Sequence, residues 1–236
     1  MAWIVQWEEE TGSTNADLLA AARLGAAPGT VLVADHQTAG RGRLGRRWEA
    51  PPGSSLLASL LFHSASSEGL HRHTQAVALA AAEACRNVAR VDAVLKWPND
   101  LLVGSRKVAG VLAETAPLPS GALAVVVGIG LNVSWPAPLP PDLAPTMTAL
   151  NIEAGRDVDR AEVLRAMLDA LDSLDWGQLH SRYRAELDTI GRTVRVERIG
   201  EVLEGAAVDV KVDGTLVVRT RSGDREVTTG DVVHLR

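Results

Sequence analysis

The chain contains the stretch Gly40-Arg41-Gly42-Arg43-Leu44-Gly45-Arg46-Arg47-Trp48, in which arginines alternate with glycines before a final tryptophan. The whole chain carries a formal net charge of −5, so a generally basic composition does not explain these arginines. Guanidinium groups bind phosphate oxygens in pairs, and glycines let backbone N–H groups approach the same oxygens. This stretch, the arginine loop, therefore predicts phosphate chemistry beneath a mobile lid.

A short arginine-rich segment has other ordinary uses when it stands alone. It is more often a solvated surface, a nucleic-acid patch or a targeting signal than a catalytic lid. A dinucleotide-binding fingerprint is excluded, because such a loop opens directly into a helix, whereas Glu49-Ala50-Pro51-Pro52-Gly53 follows here. The choice among the remaining uses depends on other parts of the chain.

The composition is that of an ordinary soluble globular protein. Of the 236 residues, 46% are apolar and 22% charged, which suits one large domain or a medium domain with a small appendage. The acidic balance argues against a surface that binds duplex nucleic acid. Residues 1–10 carry three glutamates and no basic residue, unlike a secretory signal. The longest apolar run, residues 122–131, is half of the roughly 20 residues that cross a bilayer, so a reducing cytoplasm fits best.

Cysteine and lysine are scarce, and this gives each of them diagnostic value. Cys85 is the single cysteine and ends an alanine-rich run, which indicates a small buried side chain and excludes an internal disulfide. Only three of the 24 basic residues are lysines, so Lys96, Lys107 and Lys211 become candidates for roles that need a compact ammonium group. The six histidines show no metal-ligand spacing.

Hydrophobic periodicity divides the chain into two parts. Strands are predicted at residues 4–7, 30–34, 54–62, 94–103, 108–114 and 122–130. Helices are predicted from Ser13 or Thr14 up to Gly25 and at residues 74–88, 159–174 and 178–187. After Gly191 the residues alternate between turns at Asp213-Gly214, Ser222-Gly223 and Gly230-Asp231. Five short strands with tight turns predict a small barrel, which places the domains at residues 1–190 and 191–236.

Four further motifs accompany the arginine loop in a fixed order. They are Thr11-Gly12-Ser13-Thr14-Asn15, the segment around Gln37, Lys96-Trp97-Pro98-Asn99-Asp100 with Lys107-Val108-Ala109-Gly110, and Gly128-Ile129-Gly130-Leu131-Asn132. In this order and spacing the set resembles the biotin–protein ligases, also described as biotin–acetyl-CoA-carboxylase synthetases. The resemblance covers about residues 3–135 and continues more weakly into the predicted barrel.

The resemblance implies a fold and a two-step reaction. The fold is α+β, with a mixed-sheet catalytic domain related to class II aminoacyl-tRNA synthetases and a C-terminal SH3-like β-barrel. First, the carboxylate of biotin attacks the α-phosphorus of ATP and gives biotinyl-5′-adenylate and pyrophosphate. A lysine of a biotin carboxyl carrier domain, in a carboxylase of the acetyl-CoA carboxylase type, then takes the biotin as an amide. ATP with Mg²⁺ is the co-substrate, no nucleic-acid or membrane partner is expected, and a homodimer is one assembly that the resemblance allows.

The same resemblance assigns Lys107, Arg41 and Arg43 to catalysis. A carboxylate that approaches a triphosphate is repelled by about 4 kcal/mol for each like-charge pair at 4 Å and an effective dielectric of 20. Cations must therefore offset the repulsion, and Lys107 holds charge that develops in the transition state. A solvated hairpin lysine is the alternative. The loop closes over the labile anhydride through glycine hinges at Gly40, Gly42 and Gly45.

The biotin-binding residues implied by the resemblance are Ser13, Thr14, Asn15, Gln37, Arg41, Gly42, Arg43, Lys107 and Gly110. The ureido group of biotin donates and accepts hydrogen bonds, so neutral hydroxyl and amide groups suit it. Gly110 would let the ligand pass close to the backbone. Ser13 and Thr14 have an alternative role as helix caps, and both roles are compatible because a cap uses one lone pair.

The nucleotide-binding residues implied by the resemblance are Arg43, Trp48, Lys96, Asn99 and Asn132. Asp100 is the candidate magnesium-linked carboxylate, although Pro98-Asn99-Asp100 also makes an ordinary turn. Trp48 either stacks over the base or belongs to the core.

Three rival functions differ in what they require. A repressor of this family carries a helix-turn-helix module, for which the twelve residues before Ser13 are too few. A lipoate–protein ligase shares the wider fold and the acyl-adenylate logic, but the arginine loop and the segment at residues 96–100 favour biotin. A binding module without activity would not need Lys107. We therefore expect a biotin ligase without operator binding.

Overall fold

The computed structural model describes residues 2–198 and 201–235. Its larger sheet has seven strands in the order β1-β2-β3-β7-β6-β5-β4. The strands are β1 (Ile4–Thr11), β2 (Thr30–Gln37), β3 (Ser55–Ser64), β4 (Val94–Lys96), β5 (Asp100–Val103), β6 (Arg106–Pro117) and β7 (Leu123–Asn132). Strands β1 and β2 run parallel and the other neighbours antiparallel, so the sheet is mixed, as predicted.

Helices cover both faces of this sheet because its central strands are apolar on both sides. The helices are α1 (Thr14–Arg23), α2 (His71–Ala84), α3 (Leu150–Ala154), α4 (Arg160–Asp172) and α5 (Leu179–Glu186). Side chains of a strand alternate between faces, and Val125 joins the cluster that contains α2 and α4, whereas Val126 joins the cluster under α1. Helix α4 begins where the carboxylate of Asp159 accepts a hydrogen bond from Glu162 N.

The C-terminal part is a second, antiparallel sheet with the strand order β11-β10-β9-β8-β12. Its strands are β8 (Thr193–Arg198), β9 (Glu201–Val210), β10 (Leu216–Thr220), β11 (Gly223–Val227) and β12 (Asp231–His234). Valines on alternate positions, such as Val194 and Val196, fill its interior. The fold class is therefore confirmed, with an SH3-like barrel that begins shortly after the proposed boundary at residue 190.

The barrel packs against the larger sheet at the turn that precedes β5. The indole nitrogen of Trp97 donates to Gly214 O at 2.9 Å, and His71 Nε2 lies 2.5 Å from Val212 O. Trp97 is only 3% exposed, so this contact is part of the core. The turn at residues 97–99 is thereby fixed between the two domains.

Some predicted element bounds are wrong, and local chemistry explains why. Residues 94–103 form two short antiparallel strands instead of one, because Pro98 interrupts the hydrogen-bonding ladder and the chain reverses there. Helix α2 begins at His71 and its alanine-rich part is buried, with Cys85 fully inaccessible and a thiol pKa raised by burial to about 12. Within the described residues, no helix is both long enough and apolar enough to cross a bilayer.

Candidate active site

A cavity of about 350 Å³ lies over β6 and β7, between α1, the arginine loop, the turn before β5 and barrel strand β12. It collects nearly all of the predicted site residues from distant parts of the chain. Those that line it are Ser13, Thr14, Asn15, Gln37, Arg41, Gly42, Arg43, Trp48, Lys96, Asn99, Asp100, Lys107 and Gly110. The cavity therefore brings together the groups that the predicted chemistry needs.

Asn132 is the predicted site residue that the structure does not bring into the cavity lining. Its side chain is 4% exposed, and both of its polar atoms hydrogen-bond inside the protein. Nδ2 donates to Thr148 O at 3.0 Å, and Oδ1 accepts from Ser55 Oγ and Trp135 Nε1, both at 3.2 Å. In this arrangement Asn132 braces the end of β7.

One end of the cavity is built from neutral hydrogen-bonding groups. Gln37 Oε1 accepts from Thr14 N at 2.9 Å and from Thr14 Oγ1 at 3.1 Å. Ser59 Oγ lies 2.7 Å from Thr14 Oγ1 and 2.6 Å from Asn15 Oδ1. Ser13 takes the N-cap position of α1, yet its side chain makes no capping hydrogen bond. Its hydroxyl therefore stays available to a ligand, and capping does not account for this motif.

The opposite end concentrates positive charge with few counter-ions. Lys107 Nζ lies 2.6 Å from Asp100 Oδ1, and Arg43 Nη1 donates to Asn99 Oδ1 at 3.2 Å. Burial lowers the pKa of the Lys96 ammonium, an effect that Asp100 opposes and that Lys107 reinforces. Burial likewise lowers the pKa of Arg43. Burial and mutual repulsion make the charged forms of these groups less favourable, and a bound anion would offset both effects.

The arginine loop is a small closed hairpin in this structure. Arg41 and Arg47 form an antiparallel bridge, and Trp48 N donates to Gly40 O at 3.0 Å. A single 3-10 turn at its tip, Arg43–Gly45, places Leu44 at a φ of +57° and exposes that side chain. The structure therefore shows one folded conformation of the expected lid, with its hairpin base closed.

Contacts with β6 and with the barrel hold this hairpin against the rest of the protein. Arg41 Nη2 lies 3.0 Å from Glu114 Oε2 on β6. Arg46 forms an ion pair with Asp231, and Arg43 Nη1 lies 3.4 Å from Gly230 O, both in the barrel. The loop is thus attached to both domains at once.

Trp48 lies against Gly110 of β6 and Gly130 of β7 and lines the cavity. The ammonium of Lys107 is 5.4 Å from the centroid of the indole ring, which is a cation–π contact. The side chain is half-buried, and its Nε1 has no hydrogen-bond partner among the described residues. Trp48 is therefore a wall of the cavity and not a core residue, so one of the two sequence interpretations is excluded.

Glycines in the site make room for side chains of the protein. A β-carbon on Gly110 would meet Lys107 Nζ at 2.9 Å, and one on Gly128 would meet Asn15 Oδ1 at 2.3 Å. Gly110 was expected to give a ligand access to the backbone, whereas here it accommodates the lysine ammonium. The glycine pattern of β7 likewise leaves space for Asn15 on one neighbouring element and for the indole on another.

Three residues near the site escaped the sequence interpretation. Ser59 is a fully buried polar residue in the apolar strand β3, and that interruption was its one signal. Glu114 is the acidic residue of β6 after Lys107, and Asp231 belongs to a predicted barrel turn. Neither acid has a local motif, because each acts on a residue far away in the chain.

The acidic residues near the cavity determine whether the site can hold magnesium. Within residues 2–198 and 201–235 there is no group of three histidines, cysteines or acids that could form a protein-only metal site. Magnesium bound with a nucleotide needs one or two protein carboxylates, because phosphates and water supply the rest. Asp100 faces the cavity and meets that requirement.

Comparisons with known proteins show which family the chain resembles over most of its length. The family model described as "Biotin/lipoate A/B protein ligase family" matches residues 11–132, and "Biotin protein ligase C terminal domain" matches residues 189–235. A biotin–[acetyl-CoA-carboxylase] ligase of Mycobacterium tuberculosis is 38% identical over 96% of this chain and 87% of its own length. One of Paracoccus denitrificans is 30% identical, with 94% and 97% covered.

A solved structure gives the same result for the fold. Biotin protein ligase from Aquifex aeolicus, in complex with biotin and ATP, superimposes with a TM-score of 0.81. The two sequences are 29% identical, and the alignment covers 98% of each chain. The similarity therefore extends over the sheet, the arginine loop and the barrel together.

Proposed function

The chain belongs to the biotin/lipoate A/B protein ligase family, and from that membership we propose that it is a biotin–[acetyl-CoA-carboxylase] ligase. It uses ATP to activate biotin as biotinyl-5′-adenylate and transfers the biotin to a lysine of a biotin carboxyl carrier domain. The observation that carries this proposal is one cavity with neutral hydrogen-bonding groups at one end and crowded cations at the other. Such a cavity matches a ureido ring joined by an apolar tail to a reacting carboxylate.

In the first step a carboxylate oxygen of biotin forms a bond to the α-phosphorus, and the bond to pyrophosphate breaks. Lys107 and Arg43 stand at the cationic end, where they would offset the repulsion between the two anions. Lys107 Nζ forms an ion pair with Asp100 Oδ1 at 2.6 Å, so its ammonium group is held in place before the substrate binds. The arginine loop then excludes water from the mixed anhydride.

In the second step the amine of the carrier lysine attacks the acyl carbon of the adenylate. The C–N bond forms, the C–O bond to AMP breaks, and the amine gives up a proton. The described residues that line the cavity include no histidine, and in this proposal the leaving phosphate itself takes the proton. Arg43 would stabilise the charge that returns to that phosphate.

Magnesium accompanies ATP in this proposal, and Asp100 is the residue that would help hold it. The ion would neutralise phosphate charge, as it does in other phosphoryl-group sites. Lys96 and Asn99 line the same end of the cavity and would contact the nucleotide. Trp48 offers the face of its indole to the base.

The neutral network favours biotin over lipoate. Ser13, Thr14, Asn15 and Gln37 place hydroxyl and amide groups in the neutral end of the cavity, and a ureido ring offers N–H and C=O groups that can hydrogen-bond to them. The dithiolane ring of lipoate has no N–H or C=O group and cannot make such bonds. An ATP–pyrophosphate exchange assay with each acid separates the two, and exchange driven by lipoate alone would contradict the biotin assignment.

The direct experiment is biotin- and ATP-dependent labelling of a purified carboxyl carrier domain. Full-length protein should biotinylate one lysine of the carrier, and replacing that lysine with arginine should abolish the label. A single-turnover experiment without product would instead indicate a binding module. Gel-shift measurements test the expected lack of duplex binding, and sedimentation measures whether the chain forms a homodimer.

A further inference from the structure

A single carboxylate oxygen connects the neutral end of the cavity with the arginine loop. Glu114 Oε2 accepts from Asn15 Nδ2 at 2.8 Å and pairs with Arg41 Nη2 at 3.0 Å. Glu114 lies on β6 and does not line the cavity, and its side chain is 25% exposed. Glu114 therefore contacts two residues of the site without lining the cavity itself.

The contact with Asn15 decides which way the amide of Asn15 points. Nδ2 donates to Leu112 O at 3.1 Å as well as to Glu114, and Oδ1 lies 2.6 Å from Ser59 Oγ. Turning the amide around would place an N–H group against Ser59 and an oxygen against the carboxylate of Glu114. Glu114 thus fixes the orientation of the Asn15 amide, with Oδ1 towards Ser59.

The contact with Arg41 fixes the arginine loop at its first arginine. Arg41 forms the antiparallel bridge with Arg47 that closes the hairpin, so a restraint on Arg41 acts on the whole loop. A charge-assisted pair to a partly buried carboxylate is stronger than an ordinary surface contact. The same oxygen is shared with Asn15, so disorder at one partner loosens the other.

We propose that Glu114 is a positioning residue that couples occupation of the biotin end of the cavity to closure of the arginine loop. A ligand that orders Asn15 also orders Glu114, and an ordered Glu114 retains Arg41 in the closed hairpin. The coupling is reciprocal, because two sites that bias one shared element must bias each other. This role rests on the proposed function of the site.

Two substitutions in the full chain separate the two contacts. Glu114→Gln keeps a carbonyl acceptor for Asn15 but removes the charge that retains Arg41. We expect its biotin KM in pyrophosphate exchange to stay within about twofold of wild type, while escape of biotinyl-adenylate, trapped with hydroxylamine, rises about fivefold. Glu114→Ala loses both contacts, so its biotin KM should also rise about tenfold.

A matched control exists on the far side of the sheet. Glu83 on α2 pairs with Arg182 at 2.7 Å, and its side chain is 32% exposed, so Glu83→Gln removes a similar ion pair away from the cavity. It should change the melting temperature as much as Glu114→Gln does but leave adenylate escape at the wild-type value. If the Ala variant does not fold, the comparison of the two Gln variants still decides.

The outcomes separate this role from the proposed function. A wild-type chain that forms no adenylate overturns the function itself. If wild type forms adenylate and Glu114→Gln retains it as well as Glu83→Gln does, the coupling role alone is overturned. Hydrogen exchange of residues 40–48 gives a second readout, because biotin should protect the loop in wild type and protect it less in both Glu114 variants.

Discussion

The indole of Trp48 lies directly against the backbone of Gly130, so closely that a β-carbon there would fall 2.4 Å from Cε2 of the ring. Gly130 pairs with Gly110 across β6 and β7, and a β-carbon on Gly110 would in turn meet Trp48 at 3.2 Å. Two glycines on neighbouring strands therefore form a flat seat for one aromatic side chain. The seat sets the height of the ring above the sheet, and so the depth of the cavity.

Replacing Gly130 by alanine should push the indole off this seat. The overlap is with a rigid ring packed on backbone, so we expect a loss of roughly 1–3 kcal/mol in the free energy of unfolding. The ATP KM should rise as well, because the displaced ring intrudes on the nucleotide end. Thermal unfolding of Gly130→Ala, Trp48→Ala and the double variant tests this: in the Trp48→Ala background the alanine should cost much less. Equal costs in both backgrounds would contradict the steric argument.

Arg43 should matter more for retaining the intermediate than for making it. Its Nη1 contacts both Asn99 Oδ1 and Gly230 O, so it joins the loop to the cavity floor and to the barrel. Arg43→Gly is expected to form biotinyl-adenylate but to release it, which would label lysines of bystander proteins. Leu44→Gly adds backbone freedom at the neighbouring residue, whose exposed side chain makes none of those contacts, and serves as the control. Leakage from Arg43→Gly at or below the wild-type level would refute this expectation.

Lys96 should give ATP binding an alkaline limit. Burial lowers its pKa, so the ammonium loses its proton at a lower pH than an ordinary lysine does. As pH rises through the folded-state pKa, the site loses a cation and the ATP KM should increase. Lys96→Arg keeps its charge at these pH values, so its ATP KM should stay level where the wild-type value climbs. Parallel alkaline profiles for both proteins would rule out Lys96 as the titrating group.

The stability of the protein should respond to the same group with the opposite sign. The folded-state pKa of Lys96 lies below the unfolded value, so protonated Lys96 opposes folding, and this cost disappears as pH rises between the two values. The free energy of unfolding of wild type relative to Lys96→Met should therefore increase with pH across that window. Urea denaturation at several alkaline pH values measures it.

The ion pair between Arg46 and Asp231 should help the barrel hold the arginine loop. Asp231→Asn keeps the shape of the side chain and removes its charge, and we expect adenylate escape to rise by about two- to fivefold, as for a partly exposed pair. Added salt should raise escape from wild type towards the variant's value. Asp224→Asn breaks an exposed pair with Arg219 on the barrel away from the cavity, and it should have no effect on escape.

Local sequence was enough to predict the site residues whose positions depend on neighbouring residues in the chain. Ser13, Thr14 and Asn15 stand at the junction of β1 and α1, so a strand-to-helix pattern already places them together. Lys107 and Gly110 are close in sequence on one strand, and the irregular pairing of β5 with β6 at Leu101 and Leu102 lets both line the cavity. The mixed sheet and the barrel followed from hydrophobic periodicity together with the family resemblance.

Residues that act across long sequence separations could not be placed in this way. Glu114 meets Asn15 only because β6 lies beside the start of α1, and no local pattern fixes that pairing. Asn132 was expected at the nucleotide, yet the chain folds Ser55 and Trp135 around its amide. Side-chain direction at the end of β7 depends on those tertiary contacts, which the motif itself does not contain.

The attachment of the arginine loop to Gly230 and Asp231 bears on how such enzymes can be recombined. A chimera that receives the arginine loop of another ligase but keeps its own barrel would pair that loop with a turn that does not match it. The loop and the turn between β11 and β12 should therefore be exchanged together and taken from the same parent protein.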